Sequence, residues 1–85
     1  MNTARRPIKG FVVEASAEFY RNKPKLAISL NKMSSDCKLV GWVKLRFDKP
    51  CITSARRTVD KMTDDDFQRA YDTLMKEYNK QNKGT

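Results

Sequence analysis

The stretch Thr63–Asn79 constrains the fold more than any other part of the chain. Phe67, Ala70, Tyr71, Leu74, Met75 and Tyr78 recur at i, i+3, i+4, i+7, i+8 and i+11, one apolar stripe on a helical period. Thr63 precedes Asp66 by three residues, so the hydroxyl and the carboxylate can cap each other's backbone N–H. Asp64, Asp65 and Asp66 lie where the helix dipole is positive, and Lys76, Lys80 and Lys83 lie toward its negative end. Asp72 and Lys76 form an i,i+4 pair. Three adjacent carboxylates also suit a metal ion, but capping accounts for them and the chain has no histidine. A helix of this length is marginal alone in water. Its stripe needs a partner surface, which the preceding residues must supply.

Those residues alternate. Phe11, Val13, Ala15, Ala17 and Phe19 interleave with Val12, Glu14, Ser16, Glu18 and Tyr20, a period of two that predicts a strand over 9–15 with a continuation to 20. The run Ala15–Glu18 also suits a short helix. Arg21–Pro24 reads as a turn. Lys25–Leu30 is a second strand with Leu26, Ile28 and Leu30 on one face, antiparallel to the first. Asn31–Cys37 reads as a polar loop. Lys38–Phe47 is a third strand, with Leu39, Gly41, Val43, Leu45 and Phe47 on one face and Lys38, Val40, Trp42, Lys44 and Arg46 on the other. Asp48-Lys49-Pro50 ends it. The β-branched residues of Cys51–Val59 allow a fourth strand, with Arg56 and Arg57 making it basic. Met1–Pro7 is an exposed basic arm containing Arg5 and Arg6.

The predicted fold is α+β. An antiparallel sheet of three to four strands over 8–59 carries one C-terminal amphipathic helix over 63–79, in a single domain. With 85 residues there is no room for a second core. Full burial of Phe67 or Leu74 stabilises such a layer by roughly 1.5–3 kcal/mol each.

Charge narrows the function. The chain carries +8, and residues 1–61 hold fourteen Lys/Arg against five Asp/Glu, whereas residues 62–85 hold four against five. The basic character therefore precedes the helix and points to a polyanion, most simply nucleic acid. Solubility alone is the competing explanation. Lys38, Lys44 and Arg46 flank Trp42 on one side of the third strand, an arrangement in which an aromatic stacks a base while cations hold phosphates. Trp42 can equally pack beneath a loop or the arm. Arg21, Lys23, Lys25, Arg56 and Arg57 extend the surface, and Arg5 and Arg6 can lie along a phosphate backbone. No RNP consensus, GXXG loop or zinc knuckle accompanies these residues, so binding should follow backbone and shape more than sequence. RNA, single-stranded or structured, is favoured over duplex DNA, because no basic recognition helix is visible.

Catalysis is disfavoured. The chain has no histidine to act as a general base, no activating partner near Cys37 or Cys51, and no GxGxxG or P-loop. No cofactor is implied. No apolar run reaches the ~20 residues of a membrane span, and no h-region follows the basic N-terminus. A membrane partner is therefore not expected.

Through Met1-Asn2-Thr3-Ala4-Arg5-Arg6 and the lysine-rich tail from Lys76 to Thr85, the chain resembles the small early inhibitor proteins of T-even bacteriophages, specifically the TifA family. That resemblance spans the whole chain without a diagnostic motif and carries over no functional residue. It implies a counter-defence protein acting in the host cytoplasm on a toxin endoribonuclease of a toxin–antitoxin system, in a manner linked to RNA. A direct protein–protein inhibitor with no RNA is the alternative.

The two cysteines match no metal spacing and are expected to be free thiols in a reducing compartment. Cys37→Ser with Cys51→Ser should fold and function as the parent does. A large drop in melting temperature in the double variant, seen only without reductant, would reveal a disulfide.

Overall fold

The computed structural model describes residues 3–82. Four strands, β1 (Thr3–Ile8), β2 (Phe11–Tyr20), β3 (Lys23–Met33) and β4 (Leu39–Asp48), precede two helices, α1 (Ile52–Lys61) and α2 (Asp64–Asn82). The strands form one antiparallel meander in the order β1-β2-β3-β4. Both tight hairpins use two residues at positive φ: Lys9 (50°) with Gly10 (82°), and Arg21 (53°) with Asn22 (66°). Left-handed turns of this kind match the twist of the flanking strands.

Register sorts the side chains. The pairs Val13↔Leu30, Ala15↔Ile28, Leu30↔Val43 and Ile28↔Leu45 set one apolar face. Against it pack Val59 of α1 and Phe67, Ala70, Tyr71 and Leu74 of α2, with Met75 and Tyr78 partly buried at the margin. The stripe read from the sequence is therefore the stripe that meets the sheet. Its cap also forms: the Thr63 N–H donates to Asp66 Oδ2 (2.9 Å) and the Asp66 N–H donates to Thr63 Oγ1 (3.2 Å). The Thr63 amide holds the Asp66 carboxyl below the ordinary aspartate range. Asp72 accepts from Gln68 (3.2 Å), four residues before it, rather than from the Lys76 expected four residues after it.

Four expectations are corrected. From Thr3 onward the basic arm is an edge strand, β1, and Met1 and Asn2 lie outside the described residues. Pro7 is tolerated because an edge strand can point its missing donor away from the ladder. Asn31–Met33 belong to β3 rather than to a loop. The Asn31 side chain is 8% exposed, and its Nδ2 donates to the Val12 carbonyl (3.2 Å) and to Ser29 Oγ (3.0 Å). Residues 52–61, allowed as a fourth strand, form α1, so the sheet ends at Asp48 and two helices cover it. Ile52, Ala55 and Val59 lie at i, i+3 and i+7, and Ala55 and Val59 are buried. Thr58 Oγ1 donates to the Ser54 carbonyl four residues back (3.0 Å), so this β-branched residue is accommodated within the helix. The fourth correction, a bulge in β4, concerns the candidate site.

Leu74 is fully buried. Leu74→Ala is expected to destabilise by about 2–5 kcal/mol and Thr63→Ala by about 1 kcal/mol, both measured by urea denaturation. An unchanged midpoint for Leu74→Ala would mean that α2 does not cover the sheet.

Candidate nucleic-acid interface

Each strand sends alternate residues to the face without helices. On β2 these are Val12, Glu14, Ser16, Glu18 and Tyr20, and their partners on β3 are Asn31, Ser29, Ala27, Lys25 and Lys23. β1 adds Arg5 opposite Glu14, and β4 adds Lys44 opposite Ser29, Arg46 opposite Ala27 and Asp48 opposite Lys25. The middle of this face is low, because Ser16, Ala27 and Ser29 are small. Long side chains lean across it. Lys44 Nζ reaches Glu18 Oε1 (2.9 Å) and Arg46 Nε reaches Glu18 Oε2 (3.2 Å), both spanning β3. Arg5 pairs with Glu14 (2.5 Å), and Lys25 pairs with Asp48. A shallow depression of about 380 Å³ lies beside Lys44, lined by Glu14, Ser29, Asn31 and the β4 segment from Gly41 to Val43.

At the β2–β3 end, an aromatic ring joins the cations. The Arg46 guanidinium lies 4.1 Å from the centroid of Tyr20, and that of Arg21 lies 5.3 Å from it. Lys23 stands opposite Tyr20 and is exposed. This corner collects Arg21, Lys23, Lys25, Lys44 and Arg46 against Glu18 and Asp48. Tyr20 did not figure among the sequence candidates. The signal was its place in the same alternating set as Glu14 and Glu18.

The Trp42 ring lies on the other side of the sheet, although the residue also borders the depression beside Lys44. Leu30 pairs with Val43 and Asn31 with Gly41, so Trp42 is an extra residue in β4. Such a bulge resets the alternation. It turns Trp42 to the helix side, where the ring stacks on Tyr78 of α2 (4.9 Å) and meets Phe11 edge-on (5.0 Å). Leu39 and Gly41 are thereby shifted out of the face that holds Val43, Leu45 and Phe47, and Val40 out of the face that holds Lys44 and Arg46. Lys32, not Lys44 or Arg46, lies over Trp42, at 5.4 Å.

The remaining candidates divide further. Arg6 points to the helix side, over the Phe67 ring (5.0 Å) and toward Asp64 (3.4 Å). Lys38 lies in the β3–β4 connection, its N–H donating to Ser34 Oγ (3.2 Å). Arg56 and Arg57 are exposed on α1, on the opposite side of the sheet from Lys44 and Arg46. The basic residues therefore form two surfaces rather than one.

Among the described residues no group of three or more His, Cys, Asp or Glu could hold a metal ion, and Cys37 and Cys51 are both exposed free thiols. No helix among the described residues is long and apolar enough to cross a membrane. No protein-family model, curated protein or solved structure matches the chain.

Partial burial pushes the Glu18 carboxyl up, but the hydrogen bonds and charges of Lys44 and Arg46 outweigh it, so its pKa lies below the ordinary value of 4.5. A lowered carboxyl stabilises the fold above its unfolded pKa and loses that contribution as pH falls through the folded value. The stability gap between parent and Glu18→Gln should therefore be widest near neutrality and close as pH drops below the ordinary value of 4.5. Urea denaturation across the acid range measures it, and a gap independent of pH would contradict the bridging role of Glu18.

Proposed function

We propose that this chain is a non-enzymatic, basic RNA-binding protein whose contact surface is the open sheet face, centred on the Tyr20 corner. The observation that carries the reading is that corner: one partly exposed aromatic ring with two guanidiniums against it and lysines beside it. Guanidinium and phenol planes offer stacking surfaces to unpaired bases, while the cations meet phosphates. Glu18 holds Lys44 and Arg46 across the low middle of the face, which preorganises them. Exposed ion pairs of this kind contribute only about 0.2–1 kcal/mol, so phosphates can take over the cations at little cost.

The biological role we assign is inhibition. The resemblance of the two ends of the chain to small phage inhibitors supports a counter-defence protein that neutralises a toxin or host endoribonuclease in an RNA-linked complex, in the host cytoplasm. The partner would then be held in part through RNA that both proteins contact.

A fluorescent single-stranded RNA, titrated at several salt concentrations, tests the binding surface. Lys44→Gln with Arg46→Gln should weaken binding and flatten the log–log salt slope by about 1.4 units, since each phosphate contact on a single strand contributes roughly 0.7. Tyr20→Ala should cost roughly 1–3 kcal/mol with little change in slope. Arg56→Gln with Arg57→Gln, on the other surface, should change affinity far less. Equal affinity for the parent and the Lys44/Arg46 variant at every salt would remove this face from the binding surface. No RNA binding even at low salt would leave direct blocking of a protein partner as the better reading.

A further inference from the structure

The same strand ends that form the Tyr20 corner carry an apolar surface on their other side. Phe19 precedes Tyr20, and Phe47 follows Arg46, so alternation sends both phenylalanines to the helix side. Phe19 is 61% exposed and Phe47 44% exposed, the first the most exposed of the large apolar residues described. Register makes them one patch. Ala17 pairs with Leu26 and Leu26 with Phe47, giving one apolar row, and Phe19 pairs with Pro24 in the next. Leu26 and Pro24 of β3 lie half-buried between the strands that carry the two rings, and Ala17, also half-buried, flanks Leu26 on β2. The patch lies beyond the fully buried core, whose sheet residues end at Ala15 and Ile28 on these strands.

The helices leave both rings exposed, although Leu26 packs against the core that they cover. Exposed aromatic side chains grouped in this way are uncommon on a small monomer and mark interaction surfaces. The neighbouring charge selects the partner. The Lys49 backbone N–H donates to the Pro24 carbonyl (3.2 Å), which sets Lys49 beside the Phe19 row. The helix that follows carries exposed Arg56 and Arg57. The carboxylates of these strand ends, Glu18 and Asp48, are turned to the open face and engaged by Lys44, Arg46 and Lys25. A second copy of this +8 chain would bring like charges together around the two rings.

We propose that the Phe19–Phe47 patch docks an acid-rich protein segment that inserts an apolar side chain between the two rings and meets Lys49 and the α1 arginines with its carboxylates. The inference does not depend on the RNA reading, because it uses the opposite side of the sheet. Taken together, the two surfaces lie back to back, so a protein segment and an RNA strand can be held at once.

Nuclear magnetic resonance with the isotope-labelled full chain tests it. The probes are 15-residue peptides of Glu and Asp with Leu and Phe placed at helical or at alternating spacing. Controls replace the apolar positions by Ser or the acidic positions by Lys. At low salt the acidic apolar peptides should shift the resonances of Phe19, Leu26, Phe47 and Lys49, and neither control should do so. Phe19→Ser with Phe47→Ser should weaken peptide binding at least tenfold and leave single-stranded RNA affinity within twofold. The exposed positions make this variant fold, which its dispersed spectrum checks, and Lys49→Glu should weaken the same binding without touching either ring. Binding no tighter than the Ser control, or unchanged in the double variant, overturns the proposal. So does a concentration-dependent dimer lost in that variant, which assigns the patch to a second copy. Capture by anionic phosphatidylglycerol vesicles but not by the peptides would assign it to lipid and overturn the proposal as well.

Discussion

The mutual burial of the α2 stripe and one face of the meander is the contact on which the rest of the structure depends. Neither element can stand alone: α2 is an amphipathic helix with an apolar stripe, and the sheet carries Val13, Ala15, Ile28, Leu30 and Val43 on one side. Phe67, Leu30, Leu74 and Val13 are the largest side chains fully removed from solvent, two from each layer. Once that contact is made, the period of the strands leaves no freedom about what faces outward. Glu14 and Lys44 take the open side because Val13, Ala15 and Val43 beside them are in the core, and the same alternation carries Glu18, Tyr20 and Arg46 to that side.

The open face is then shaped by size as much as by charge. Small residues on β3 let Lys44 and Arg46 lie across to Glu18, so two cations from an edge strand converge on one carboxylate two strands away. Much of the sheet's charge is balanced in this manner, and the surplus collects at the Tyr20 corner, at Lys49 and along α1. A formal +8 does not describe this arrangement. The proposed RNA contact uses the corner, and the proposed protein contact uses the apolar patch behind it. Alternation at the ends of two strands, Phe19-Tyr20 on β2 and Arg46-Phe47 on β4, gives four residues to the two surfaces.

The α+β class, the helix with its cap and three of the strands were legible because each has a strong local period or a specific pair of side chains, such as Thr63 and Asp66. What escaped was decided by distant contacts. Ile52, Thr53, Thr58 and Val59 favour a strand by propensity, yet Ala55 and Val59 gain burial only as a helix on the sheet. Thr3–Ile8 lacks a hydrophobic pattern and becomes β1 because β2 offers a free edge. The β4 bulge moved Trp42 to the helix side. A single inserted residue leaves the flanking alternation intact in sequence, and the only local hint was Gly41 inside a strand. Of the candidate residues, Lys25, Lys44 and Arg46 do share the open face, with Arg21 and Lys23 at its corner, whereas Trp42, Arg56 and Arg57 lie on the helix side, and Tyr20 was passed over because its contacts with Arg21 and Arg46 arise only when the hairpins close.

The claim that the Tyr20 corner is the nucleic-acid contact is tested most directly by ultraviolet cross-linking of a bound single-stranded RNA, with the adducts located by peptide mass spectrometry. The account predicts adducts on Tyr20 and on the peptide that continues through Arg21 to Lys25. Adducts concentrated on Trp42 or on α1, with none at the β2–β3 turn, would contradict it.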